Sequence, residues 1–162
     1  MSSYDPDYLE EMDKQSVQAF EDMIEERAFF QDAIESSIME EYIKADKDFT
    51  NEFFHLSIWK ASTVILNGLE VQVVVDGGDK LHISYGTAGF VSFLENPVGL
   101  KLPVKCWIHT HPFGAAYFSG TDWNTVSIWK PLMQSAYVLG GPDHFGHWEQ
   151  DTPNELCIHK DG

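Results

Sequence analysis

The first long pattern in the chain is an apolar stripe on an acidic background. Leu9, Met12, Phe20, Met23, Ile24, Ala28, Phe30, Ile34, Ile38 and Tyr42 return at three- and four-residue steps, with acidic residues filling most positions between them. That is the helical period, and no proline or glycine interrupts it between Pro6 and Gly68. Residues 7–46 therefore predict one long helix or two shorter ones. The apolar stripe would lie on the domain that follows or on another chain. A second helix is expected from an N-cap at Asp48 or Thr50. It carries Phe53, Phe54, Leu56, Ile58, Trp59, Ala61 and Val64 and stops before Asn67-Gly68, a common helix end. Its aromatic density marks it as core, and His55 on it reads as a structural or surface histidine.

The period then changes to that of a strand. Leu69 to Val75 is β-branched and short, Asp76-Gly77-Gly78-Asp79 is turn chemistry, and Lys80 to Tyr85 is the return strand of a hairpin. Residues 86–100 are broken by Gly86, Gly89, Pro97 and Gly99, and Phe90 to Leu94 fits a short helix or a strand. Val104 to His111 predicts a strand stopped by Pro112. A loop from Phe113 to Phe118 leads to a helix over about 120–133, which Pro131 ends or bends. Ser135 to Leu139 is a further strand, and two short ones are expected near 146–149 and 155–159.

Charge divides the chain. Residues 1–48 hold 15 acidic and 4 basic residues, residues 49–162 hold 11 and 6, and the total is −16. The expected organisation is an acidic helical extension, 1–48, before one domain, 49–162. The acidic surface reads either as a solvated outer face or as a docking arm for a basic protein partner. A total this negative argues against nucleic acid, whose phosphates it would repel. No apolar run approaches the roughly 20 residues of a membrane span. The first residues lack the basic and apolar regions of a secretory signal. With two cysteines, Cys106 and Cys157, in no C-x-x-C pair, a reduced, cytoplasmic setting is expected; a single disulfide is the other possibility. Cys106, on a core strand, reads as a small buried hydrophobe rather than a nucleophile.

The chemistry gathers between Trp107 and Asp122. His109 and His111, two apart on a strand, share a face roughly 6–7 Å apart and can converge on one ion. Asp122, at the start of the next helix, can close a third corner. Two imidazoles and a carboxylate leave one tetrahedral position free for water, the layout of a catalytic zinc site, in which the water's pKa falls to about 7. Nitrogen ligands favour zinc over magnesium. Each part has an ordinary explanation too: His-x-His is weak alone, and Ser119-x-x-Asp122 is also a capping box. His144, His147, Cys157 and His159 carry ligand-type side chains, but their spacing matches no tight finger. Ordinary loop and strand residues, or a second zinc, are the alternatives there.

Taken together, His109-Thr110-His111-Pro112, six residues, then Ser119-Gly120-Thr121-Asp122 resembles the JAMM (MPN+) motif of zinc isopeptidases. Trp107 to Pro112 is similar to the AMSH-type deubiquitinases. The resemblance spans about residues 50–162 and is specific over 107–122. It implies an α+β fold, JAMM/MPN-like and related to the cytidine deaminases, with a central mixed sheet flanked by helices. It implies zinc on His109, His111 and Asp122, and Ser119 steadying an oxyanion. It also implies an upstream glutamate as general base for the zinc-bound water. Glu70, opening an apolar strand after a helix, is the choice, with Glu52 and Glu95 as rivals. The implied reaction is hydrolysis of the amide after the Gly-Gly tail of ubiquitin or a ubiquitin-like modifier. A JAMM-type peptidase for phage-tail, cell-wall or sulfur-carrier substrates is one alternative. A scaffold docking partners through 1–48 is the other.

Overall fold

A computed structural model describes residues 6–86, 99–114 and 116–151. The expected strand near 155–159, the segment 90–94 and Glu95, Cys157 and His159 lie outside them. Contacts divide the chain into two units, Met1–Ser37 and Ile38–Gly162.

The first unit contains most of α1, one helix over Pro6–Lys44. Met12, Val17, Phe20, Met23, Phe29 and Phe30 on it are exposed, and short ties such as Gln18 to Asp22 (2.9 Å) line its polar surface. No helix among the described residues is long and apolar enough to cross a membrane.

The second unit opens with the last turns of α1, where Ile38 and Tyr42 are fully buried and the Tyr42 ring lies 4.9 Å from that of Phe54. Helix α2, Glu52–Lys60, follows. Its N-cap is Asn51, whose side chain accepts from Phe53 N and Phe54 N, not Asp48 or Thr50. Those two satisfy each other instead, Asp48 Oδ1 accepting both the backbone N–H and the hydroxyl of Thr50. The helix loosens into a π-turn, Ala61–Ile65, and stops where Asn67 and Gly68 take positive φ, 54° and 97°.

A five-stranded mixed sheet follows, ordered β2-β1-β3-β4-β5: β1 Val71–Val75, β2 Leu81–Tyr85, β3 Cys106–Thr110, β4 Ser135–Leu139 and β5 Phe145–Glu149. Only β3 and β4 are parallel, and the connection between them carries α3, Gly120–Trp129. This helix ends earlier than its apolar pattern suggests. Pro131 has no N–H to continue the ladder, and Lys130–Leu132 closes as a 3-10 turn. Every residue of β1, β3 and β4 is buried, because both faces are covered, and such strands read as near-continuous apolar runs. On one face Val74, Trp107, Ala136 and Val138 pack with Val126, Trp129 and Met133. Each fully buried valine of this kind contributes about 1.5–3 kcal/mol. On the other face Thr110 meets Ser62 of the π-turn, and Tyr137 meets His55 of α2 at 4.7 Å. The architecture is thus α+β, a mixed sheet flanked by helices.

Asp76 fastens the β1–β2 turn. Its carboxylate accepts from Gly78 N, Lys80 N, Lys101 N and His82 Nε2 at 2.8–3.2 Å. Burial pushes this carboxyl upward, but those donors outweigh it and hold it below its ordinary value.

Candidate metal centre

Residue parity places the site. Gln72 pairs with His109 and Val74 with Trp107, so the even residues of β1 share a face with Trp107 and His109. His111 continues β3, its N–H donating to Leu139 O at 2.8 Å, and keeps the same parity. Pro112 then breaks the ladder. The chain returns through Phe118 to Ser119, which caps α3: its Oγ accepts from Asp122 N at 3.1 Å, while Asp122 Oδ2 accepts from Ser119 N at 2.9 Å. Both halves of the capping box are therefore present. The box aims the Asp122 carboxylate back at the strand.

The return loop has little freedom of height. A Cβ on Gly140, just after β4, would lie 2.5 Å from the Ala116 backbone nitrogen. One on Gly146, within β5, would lie 2.9 Å from Ala116 O. Glycine at both positions lets the loop settle directly on the sheet and deliver Ser119.

His109, His111 and Asp122 come together as expected. Their ligand atoms all lie within 4.8 Å of one another, the one such group of three among the described residues. His109 Nε2 and His111 Nε2 each stand 3.1 Å from Asp122 Oδ2. For His109 this is proximity rather than a directed bond. Its ring is 2% exposed, and neither ring nitrogen has a hydrogen-bond partner among the described residues. An imidazole left this way inside a protein is costly unless something else takes its lone pair. Burial pushes the Asp122 carboxyl up, but the adjacent imidazoles and the Ser119 N–H prevail and hold it well below the usual carboxylate range. Two imidazole nitrogens and an ionised oxygen, converging and half-enclosed, are a donor set that fits a divalent ion of zinc type.

Trp107 is the residue of this site whose part the motif does not announce. Its ring stacks on His109, centroids 4.3 Å apart and planes 12° apart, and its Nε1 donates to Gln72 Oε1 at 3.0 Å. The usual orienter of a ligating histidine is a hydrogen bond to its second nitrogen. Here the orientation comes from a stacked ring fixed by Gln72. The i, i+2 spacing of Trp107 and His109 is the signal in the sequence.

Glu70 sits one residue before β1, half-buried. Continuing the β1–β3 register by two residues sets it opposite His111, on the face that carries His109 and His111. It lines a cleft of about 490 Å³ with Gly68, Leu69, Gly86, His111, Pro112 and Phe113. Glu52 is exposed in the first turn of α2. Ser119 Oγ spends an acceptor position on the cap, and no acceptor for its own proton occurs among the described residues.

The remaining candidates lie elsewhere. His55 is structural: it is buried, and Nε2 lies 2.6 Å from Phe49 O. His144 is exposed and joined to Asp143 at 2.6 Å, and His147 on β5 stacks against Tyr137 at 4.6 Å. Cys106 is buried with a free thiol, and burial pushes that thiol up to about 12, far from a nucleophile's range.

Comparison with protein-family models, curated proteins and solved structures found no match.

Proposed function

We propose that this protein is a zinc-dependent isopeptidase of the JAMM type. Its substrate would be the amide bond after the C-terminal tail of ubiquitin or a ubiquitin-like modifier. One observation carries the reading: a fully buried His109 imidazole, neither ring nitrogen hydrogen-bonded among the described residues, converging with His111 and an ionised Asp122. The motif order and a mixed sheet flanked by helices are compatible with a JAMM/MPN-like fold.

His109, His111 and Asp122 would hold the ion, which when bound supplies positive charge that polarises a carbonyl and acidifies water. Glu70 Oε accepts a proton from the attacking water and returns it to the departing lysine or α-amine. Ser119 Oγ–H, uncommitted in the cap, donates to the oxygen that gains charge. The cleft shared by Glu70, His111 and Phe113 gives an extended tail a place to lie beside Glu70 and His111. Residues 1–48 would serve as a docking arm for a basic protein partner.

The test is metal content with cleavage of a panel of Gly-Gly-tailed modifier fusions. About one zinc per chain and a cleaved fusion support the reading, with Glu70→Gln inert yet still loaded and His109→Ala unloaded. Cleavage of peptidoglycan peptides but of no fusion would move the substrate to the cell wall. Retained cleavage in Glu70→Gln would remove Glu70 from the mechanism.

A further inference from the structure

We infer that Thr110 and Ser62 are positioning residues for Glu70, acting through a buried chain of hydrogen bonds that grips the backbone on either side of it. The inference rests on the Glu70 role proposed above.

Val71 N–H donates to Thr110 Oγ1 at 2.9 Å. The Thr110 hydroxyl donates to Ser62 Oγ at 2.8 Å, and the Ser62 hydroxyl donates to Leu69 O at 2.6 Å. Each hydroxyl gives one proton and takes one, so the chain runs in a single direction with no conflict. Ser62 and Thr110 are both 0% exposed, so no water replaces a missing link. The bonds close on Leu69 and Val71, the two neighbours of Glu70. Two further bonds secure the same turn, Gly68 N to Ser62 O at 2.8 Å and Gly86 N to Glu70 O at 2.8 Å.

Thr110 lies between the two histidine ligands, but its side chain leaves the opposite face of β3. It therefore touches neither the metal-ligand atoms nor the cleft. Its hydroxyl links the strand that carries His109 and His111 to the residue pair that brackets Glu70. Without it, Glu70, which precedes β1, keeps its carbonyl bond to Gly86 N at the end of β2 but loses this link to β3, the strand of the histidines. A displacement of about 1 Å in a reacting group costs up to about a hundredfold in rate.

The histidines do not need this network. His109 is held by pairing with Gln72 and Val138, and His111 by Leu139 O. Losing the Thr110 hydroxyl should therefore cost turnover without costing the ion.

The experiment compares Thr110→Val, Thr110→Ser and Ser62→Ala with wild type in the full chain. Zinc affinity is read against a chromogenic chelator, amide hydrogen exchange at Val71 and Val73, and kcat and KM on the modifier fusion that wild type cleaves. Thr110→Val and Ser62→Ala are expected to lower kcat about 10- to 100-fold, with KM within about twofold and zinc affinity within about threefold. Thr110→Val should speed exchange at Val71 while Val73, inside the ladder, keeps its protection. Thr110→Ser, which keeps the hydroxyl, should retain at least about a third of wild-type kcat. If Thr110→Val does not fold, Ser62→Ala carries the same comparison.

A folded variant with kcat within threefold of wild type overturns the inference. So does a loss confined to KM, or a loss in Thr110→Ser that follows Tm. An active Thr110→Val beside an inert Glu70→Gln removes this inference alone. An active Glu70→Gln, or a wild-type chain that cleaves neither a fusion nor a peptidoglycan peptide, removes the proposed role beneath it as well.

Discussion

On the proposed reading Ser119 has two separable duties, and one substitution can part them. Ser119→Ala deletes the acceptor for Asp122 N at 3.1 Å but leaves the Ser119 N–H that holds Asp122 Oδ2 at 2.9 Å. The cap loss costs about 0.5–2 kcal/mol in general. Ser119 is half-buried, so water can take part of the role, and about 1 kcal/mol is expected here. For a protein of this size that lowers Tm by about 2–4 °C. The carboxylate keeps its backbone tether, so zinc affinity should stay within about threefold. The missing hydroxyl donor should lower kcat about 100- to 1000-fold, the cost of removing one oxyanion donor. Ser119→Thr keeps both cap and hydroxyl and should restore most of the rate. Thermal melts with and without a chelator, a zinc competition titration and fusion cleavage measure the three quantities on one preparation. A Ser119→Ala protein with the expected Tm loss and undiminished kcat would refute the second duty. One that sheds its zinc would refute the claim that the backbone N–H suffices to aim Asp122.

Two other predictions concern stability. Burial depresses the His55 imidazole below its ordinary value, with His147 adding to the effect and Phe49 O and Asp48 opposing it. Below a pH of about 6.5 the unfolded chain therefore binds a proton that the folded one resists. This contribution is complete above that pH and is lost as the pH falls through it. Urea midpoints from pH 7.5 to 5 should decline, and His55→Gln should flatten that decline; an equal slope in the variant would refute the assignment. Gly140→Ala sets a methyl against the Ala116 backbone at 2.5 Å and should cost about 1–3 kcal/mol as overpacking, lowering Tm and kcat together. Gly120→Ala, whose methyl would meet nothing within 4 Å, should be neutral or mildly stabilising by melt.

Much of the site was legible because its information is local. Residues 106–129 contain a strand, a proline stop, a capped helix and all three candidate ligands, each announced by a short-range rule. The surprises came from choices between equals. Asp48, Thr50 and Asn51 are all competent caps within four positions, and the selection of Asn51 follows from Asp48 being engaged by Thr50. The Ser62–Thr110–Val71 chain joins positions 48 and 39 apart, beyond the reach of any periodicity. The sheet order is likewise a matter of pairing rather than spacing. Glu70 was legible as a residue type before an apolar strand, but its place opposite His111 rests on the β1–β3 register.

The separation of these parts along the chain has a consequence for assembly. The three candidate ligands fall between positions 109 and 122, whereas Glu70 is brought opposite them by a β1–β3 pairing that joins positions 31 to 37 apart. Short loops close at less entropic cost than long ones, and contacts near in sequence form sooner. On the proposed reading, a nascent or refolding chain can capture its ion on one strand and the first turn of one helix before β1 has docked. Such a species is loaded but inert. Hydrolytic competence would be the last property to arrive, and a refolding time course should register zinc uptake ahead of the first cleaved bond.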